Sequence, residues 1–309
     1  MQLIVTAISK DYGAIAAVRQ VSFQINSGDI FALLGPNGAG KSSIIRMLVG
    51  MTKPDSGSIL VSHQQAHYDH VPRRLLGYLP EDRGLYPDKS IEKNLLYLAQ
   101  LHGLNKQKAL KEMAHWLAVF ELTDRRHEDL KQLSKGNQQK VQLIAAVLHQ
   151  PALVILDEPF SGLDPINQEK VVEFLKALKA RGMTVILSAH QMAMVEKLAD
   201  HMLLMAQGKA ILAGNLEEIK QQIGAQRQMM ISCAQPVIAE QVQQWLPELE
   251  IEWHSNSRFG LKLTAEQSVS AILKELVKQV ELSQVEMQTA DLHQLYLTAM
   301  AQHQLREQA

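Results

Sequence analysis

Eight consecutive residues carry the plainest chemistry in this chain: Gly35-Pro36-Asn37-Gly38-Ala39-Gly40-Lys41-Ser42, a Gly-x-x-x-x-Gly-Lys-Ser run. Glycines at these positions let successive backbone N–H groups turn toward one anion, and a helix N-terminus behind them adds partial positive charge. The chemistry is phosphate binding. Lys41 is placed to reach the β- and γ-phosphates of a nucleoside triphosphate, Ser42 to offer its hydroxyl to Mg²⁺, and Ser43 follows as a further binding residue. A plain glycine-rich turn would account for the glycines but not for the Lys and Ser after them.

Three further polar groups end apolar runs: Glu81 at the end of Leu76–Glu81, Asp157-Glu158 after Ala152–Leu156, and Ala189-His190 after Thr184–Ser188. Asp157 is placed to hold Mg²⁺ through water. Glu158 is the candidate general base, polarising a water in line with the γ-phosphate, a role that contributes roughly 10²–10⁴ in rate. The alternative is that Glu158 only supports the metal's shell. His190 would contact the γ-phosphate; a lone histidine is more often structural, but this one follows a buried strand within the set.

The elements that must position these groups follow from local pattern. Asp29–Leu34 is a short apolar segment that predicts a buried strand, and Ser43–Gly50 a helix, so the loop has the strand–loop–helix setting that a phosphate loop requires. Continuous apolar runs at 152–156 and 184–188 predict strands buried on both faces. Ligands bind at the carboxyl ends of strands in an open parallel sheet, so Glu81, Asp157, Glu158 and His190 should converge on the phosphates. Residues 2–8 and 21–25 alternate as half-buried antiparallel strands do, and Tyr12 between them sits in a turn where it could stack on a purine. Ser90 to about Val119 is helical, broken at Gly103-Leu104-Asn105, with Trp116 a core residue. Ser134 is an N-cap for the helix that carries Gly136 and Asn137; its N-terminus is an anion site lacking an anion of its own.

The 309 residues suffice for one large domain and a small one, and a formal charge of −1 argues against a nucleic-acid partner and a polybasic lipid contact. The single cysteine, Cys233, excludes an internal disulfide and a multi-thiolate metal site. No basic leader opens the sequence, and no apolar run is long enough to span a bilayer; 141–156 is interrupted by Gln142, His149, Gln150 and Pro151. A cytoplasmic location is expected, at a membrane only through a partner.

Taken in order, these motifs resemble the nucleotide-binding subunits of ABC (ATP-binding cassette) transporters over residues 2 to 220. Tyr12 matches the aromatic A-loop, Gly35–Ser42 Walker A, Leu133–Asn137 the signature segment, Leu153–Glu158 Walker B, Ser161–Asp164 the D-loop, and His190 the switch histidine. Gly77–Glu81, Arg83–Pro87 and Ser134-Lys135-Gly136-Asn137 are most similar to bacterial ATPases paired with type-2 export permeases, the sodium-exporting ATPases among them. The resemblance implies ATP and Mg²⁺ as cofactors. It implies a head-to-tail dimer in which Ser134, Gly136 and Asn137 face the γ-phosphate held by the opposing subunit. It also implies a separate membrane-embedded ABC permease, and so a peripheral position on the cytoplasmic face of the inner membrane. Three residues depart from the family pattern. Lys135 stands for a glycine of the signature segment, adding positive charge near an anion. Asn137 stands for the usual glutamine, shortening one cross-dimer contact, and Glu81 stands for the Q-loop glutamine, adding negative charge near phosphate while keeping an oxygen for the metal.

Beyond Gly224 the periodicity changes to the order β-α-β-β-α-β, which predicts a small ferredoxin-like α+β domain over 225–309 after an ATPase domain over 1–224. The fold class expected is therefore α/β, a P-loop NTPase of the ABC type with an antiparallel β subdomain and a helical subdomain, followed by that accessory domain. Nothing in the tail has a catalytic pattern; Trp245 and Trp253 are core candidates, and the tail's role is regulatory, dimer-stabilising or merely structural. The rival functions are a soluble ABC ATPase acting on ribosomes or DNA, and a non-hydrolysing subunit of an asymmetric pair. One P-loop, no sustained heptads and near-neutral charge oppose the first; Asp157, Glu158 and His190 together oppose the second.

Overall fold

The computed structural model describes residues 1–309 except 82–83, 224–226, 264–266, 289 and 309. Asp82, Arg83, Gly224, Thr264 and Glu266, to which the sequence assigns a loop, a domain boundary, a strand end and a helix start, lie outside the described residues. The chain begins with an antiparallel pair, β1 (Gln2–Tyr12) and β2 (Ile15–Ile25), followed by β3 (Ile30–Leu34) and α1 (Lys41–Leu48). Next come β4 (Ser56–His63), β5 (Ala66–Tyr68) and β6 (Leu76–Leu79), then α2 (Ile91–Leu101), α3 (Lys106–Val119) and α4 (Lys135–Val147). After these stand β7 (Leu153–Asp157), α5 (Pro165–Ala180), β8 (Thr184–Ala189), α6 (Met192–Glu196), β9 (His201–Ala206), β10 (Lys209–Gly214) and α7 (Leu216–Ile223). The remainder is β11 (Arg227–Cys233), α8 (Ala239–Trp245), β12 (Glu250–Ser255), β13 (Arg258–Leu263), α9 (Val269–Gln279), β14 (Leu282–Gln288) and α10 (Leu292–Gln308). The chain divides into two compact units, Met1–Ile219 with the stretch from Ala299 onward, and Lys220–Thr298.

In the first unit a six-stranded sheet runs β10-β9-β3-β8-β7-β6, parallel throughout except for β10. Every residue of β3, β7 and β8 is buried, which is why these segments are continuous apolar runs rather than alternating ones. A second sheet, β2-β1-β4-β5, is antiparallel. One core joins the two: Leu3, Val5 and Val21 from the antiparallel sheet, Ile44, Ile45 and Leu48 from α1, and Ile155 and Ile186 from the parallel one. Helix α1 thus starts from a phosphate loop whose two flanks are both held.

Between β6 and β7 the chain builds the helical insertion. Ser90 caps α2 by accepting from the Lys93 N–H, and Asn105 caps α3 by accepting from the Lys108 N–H. Trp116 is fully buried, its ring 4.9 Å from Phe174 of α5 and 4.4 Å beneath the Arg181 guanidinium, which also pairs with Glu112 at 3.0 Å. The C-terminal end of α4 lies directly on β6: a Cβ on Gly77 would stand 2.1 Å from the Ala146 carbonyl oxygen. In the same place the His149 ring stacks on His102 at 3.7 Å and its Nε2 donates to the Leu76 carbonyl at 2.9 Å. Burial is the main cause that holds His149 to a pKa of about 4, with the His102 ring adding to it. Unfolded chains protonate this ring near pH 6.5 and the folded chain does not until about pH 4, so folding loses stability as pH falls through that window. The expected result is that the parent's melting temperature falls more steeply from pH 7 to pH 4.5 than that of His149→Gln; equal slopes would show that this ring is not the cause.

The second unit has the strand order β12-β13-β11-β14 with every neighbouring pair antiparallel. In chain order this is 4-1-3-2 read from the other edge, the split β-α-β pattern of a ferredoxin-like domain. Its core holds Met229, Ile231, Phe259 and Leu261 of the sheet against Val242, Leu246 and Leu276 of the helices. Trp245 and Trp253 pack on that core, Trp253 stacked on Phe259 at 5.8 Å, and Cys233 is buried and unpaired. Helix α6 ends at Glu196, and the Leu198 and Ala199 N–H groups beyond it both donate to the Val195 carbonyl. Helix α8 starts at Ala239, since Ile238 is still extended, and α10 continues to Gln308.

Candidate functional site

Strand β3 delivers the chain to Gly35, whose φ is +150° and whose missing side chain admits the Met205 carbonyl oxygen, 2.4 Å from where a Cβ would stand. Gly40, at φ +104°, is the N-cap of α1 and lets the Ala17 carbonyl approach a Cβ position to 2.3 Å. The loop is thus wedged between β2 and β9. Lys41 is buried and donates to the carbonyls of Gly35 at 2.8 Å and Pro36 at 3.2 Å, so its ammonium holds the loop's own backbone. Burial lowers the Lys41 pKa, against the opposing pull of Glu158, Asp157 and Glu81.

Asn37, Gly38, Ala39, Gly40, Lys41, Ser42 and Ser43 line a cleft of about 830 Å³ together with Glu81, Asp157 and Glu158. Its outer wall is the hairpin stretch Ala14–Ala17 with Arg19, and Gln207 after β9. Tyr12 is not in a turn but ends β1, paired with Ile15, because the hairpin is tighter than the sequence spacing implied. Its ring is half exposed, and the residues that line the cleft are its hairpin neighbours rather than Tyr12 itself.

The acidic pair is built by two adjacent strands. Asp157 of β7 lies opposite Ser188 of β8, and the Ser188 hydroxyl donates to Asp157 Oδ1 at 2.5 Å. The Glu158 N–H donates to the same Ser188 oxygen at 3.0 Å, and Glu158 has φ +53°. That left-handed turn sends its carboxylate to His190, whose Nδ1 lies 2.7 Å from Glu158 Oε2. Sequence pattern marks Ser188 only as a strand residue; its partner is 31 positions away and only the β7–β8 pairing reveals it.

Ser134, Gly136 and Asn137 are not among the residues lining this cleft. They form the first turn of α4, where Ser134 Oγ accepts from the Asn137 N–H at 3.3 Å and Asn137 Oδ1 accepts from Lys140 Nζ at 3.3 Å. Lys140 is buried, which lowers its pKa, with Lys170 acting in the same sense, so Asn137 is the partner of a desolvated ammonium. Leu163 packs 3.3 Å from the Cβ position of Gly136, and Asp164 caps α5 by accepting from the Asn167 N–H at 2.9 Å. That bond holds the Asp164 carboxyl below its ordinary pKa.

Comparison with known proteins adds the following. The family described as "ABC transporter" matches residues 18–161. The chain is 43% identical over 222 residues to the uncharacterized ABC transporter ATP-binding protein YhaQ of Bacillus subtilis, covering 72% of this chain and 74% of that one. It is 35% identical over 213 residues to the Nod factor export ATP-binding protein I of Rhizobium etli, covering 69% and 67%. A solved ATP-binding subunit of an ABC transporter superposes with a TM-score of 0.66 at 33% identity, over 72% of this chain and 94% of that one.

Proposed function

This chain belongs to the ABC transporter ATP-binding proteins, and from that membership we propose that it is the ATP-hydrolysing subunit of an exporter, working as a head-to-tail dimer beneath a separate membrane permease. The observation that carries the reading is that Glu158 lines the cleft floored by the phosphate loop, with His190, which is not itself a lining residue, 2.7 Å from its carboxylate. The loop N–H groups and Lys41 bind the β- and γ-phosphates, and Glu158 takes a proton from the attacking water. Since His190 holds the carboxylate, its orientation is set before the water arrives.

A divalent metal fits the residues present. Glu81, Asp157 and Glu158 set three carboxylates against the two cations Lys41 and Arg19 in the cleft where phosphates must enter, without a ready-made cluster of three metal-holding side chains among the described residues. Mg²⁺ would be held by Ser42, Asp157 and Glu81 together with phosphate oxygens, and when bound it neutralises charge on the triphosphate. Glu81 keeps a carboxylate oxygen where an amide oxygen is usual. Glu81→Gln is therefore expected to retain substantial phosphate release; complete loss would show that the carboxylate itself is needed.

No helix among the described residues is long and apolar enough to cross a membrane. The exposed Tyr86, Tyr97 and Leu101, with the Tyr86 and Tyr97 rings in edge contact at 5.8 Å, offer an apolar surface for a permease partner at the cytoplasmic face. In the second copy, Ser134, Gly136 and Asn137 complete the site around the γ-phosphate. The accessory domain, expected from sequence over 225–309 after an ATPase domain of 1–224, is better matched to the second compact unit, Lys220–Thr298, since the stretch from Ala299 onward groups with the first unit. Purification of the tagged chain from detergent-solubilised membranes tests the assignment: a multi-spanning protein in stoichiometric amount is expected, whereas ribosomal or DNA-bound partners without one would overturn it.

A further inference from the structure

Ser188 is wholly buried at the C-terminal end of β8, among Val185, Ile186, Leu187 and Ala189. A hydroxyl in such a place is costly unless it is bonded, and this one is bonded twice. It donates to Asp157 Oδ1 at 2.5 Å and accepts from the Glu158 N–H at 3.0 Å, so one atom ties both acidic residues. The second tie holds a residue at φ +53°, a region that non-glycine residues rarely occupy. Side chains two apart along an extended chain point to the same side, and His190, two beyond Ser188, meets the Glu158 carboxylate at 2.7 Å. Glu158 is thereby held at its backbone by Ser188 and at its carboxylate by His190.

We propose that Ser188 is a positioning residue for ATP hydrolysis: its hydroxyl orients the Asp157 carboxylate toward the metal position and fixes the left-handed turn that aims Glu158 at the attacking water. The Ser188 O–H points at Oδ1 and leaves Asp157 Oδ2 as the oxygen that can turn to the cleft. Alanine at 188 would free the Asp157 rotamer and leave the part-buried Glu158 N–H without its acceptor. The inference rests on Asp157 and Glu158 having the roles given above.

The test uses the full chain as Ser188→Ala, Ser188→Thr and Glu158→Gln, measuring phosphate release, melting temperature, and the affinity of a fluorescent ATP analogue with and without Mg²⁺. Losing hydrogen bonds to a charged acceptor and a part-buried donor is expected to lower kcat by about 10- to 100-fold in Ser188→Ala, with KM for MgATP rising only as far as the Mg²⁺ contribution to binding shrinks. The gain in affinity that Mg²⁺ confers should shrink, and affinity without Mg²⁺ should stay at the parent's value. Ser188→Thr keeps the hydroxyl and should restore both. If Ser188→Ala does not fold, Ser188→Cys, with a weak donor of similar size, carries the same comparison. The inference is overturned if Ser188→Ala turns over within twofold of the parent while Glu158→Gln is silent. It also fails if Ser188→Thr is as impaired as alanine with both melting temperatures lowered, which is a structural role only. Parental turnover in Glu158→Gln would instead remove the reading of Glu158 itself.

Discussion

Glu158→Gln is expected to lower phosphate release by about 10²–10⁴-fold, the range typical of losing a general base, while ATP stays bound. The amide keeps the size of the side chain and can still meet His190, but it cannot accept the proton of an attacking water. Binding should hold or tighten, because Glu158 is one of three carboxylates that bear on Lys41, and removing one negative charge favours a polyanion in the same cleft. Release of phosphate and retention of a labelled nucleotide, measured on one preparation, separate the two effects. A fall of less than tenfold would assign the proton to some other group.

Gly40→Ala should abolish nucleotide binding, whereas Gly38→Ala should only weaken it. Both glycines have positive φ, +104° and +81°, so both substitutions carry backbone strain of order 1–3 kcal/mol. They differ in what a methyl group would meet. At Gly40 the Cβ would be 2.3 Å from the Ala17 carbonyl, a backbone atom in β2 that cannot turn aside, whereas nothing lies within 4 Å of the Gly38 position. Relief at position 40 requires the loop to leave β2, and with it the N–H groups that face the phosphates. Titration with a fluorescent ATP analogue checks the contrast; equal losses would mean that strain alone, not the close approach, governs the loop.

The sequence made the phosphate loop, Asp157, Glu158 and His190 legible because each is either a contiguous motif or the polar end of an apolar run. The ferredoxin-like unit was legible for a similar reason, since its six elements alternate period in an order that few small domains share. What escaped notice depends on pairing at a distance. Ser188 carries no local signal, and becomes part of the site only when β7 lies beside β8. Asn137 looks from sequence like a residue directed outward, yet its oxygen serves Lys140 one turn along α4. Tyr12 was placed by spacing in a turn, but the hairpin closes beyond it and brings Ala14–Ala17 to the cleft instead. Strand β5, three residues long, is too short for its alternation to show.

The close seat of α4 on β6 has a mechanical consequence. With no side chain at Gly77, the helix end rests on the strand's backbone, 2.1 Å from any Cβ placed there, and the 13 residues of α4 span about 20 Å to Ser134. One end of this rod adjoins the strand that leads to Glu81; the other carries Ser134 and Gly136. Any rotation of α4 about its seat on Gly77 would displace Ser134 and Gly136, about 20 Å along the helix, further than the end that rests on the strand.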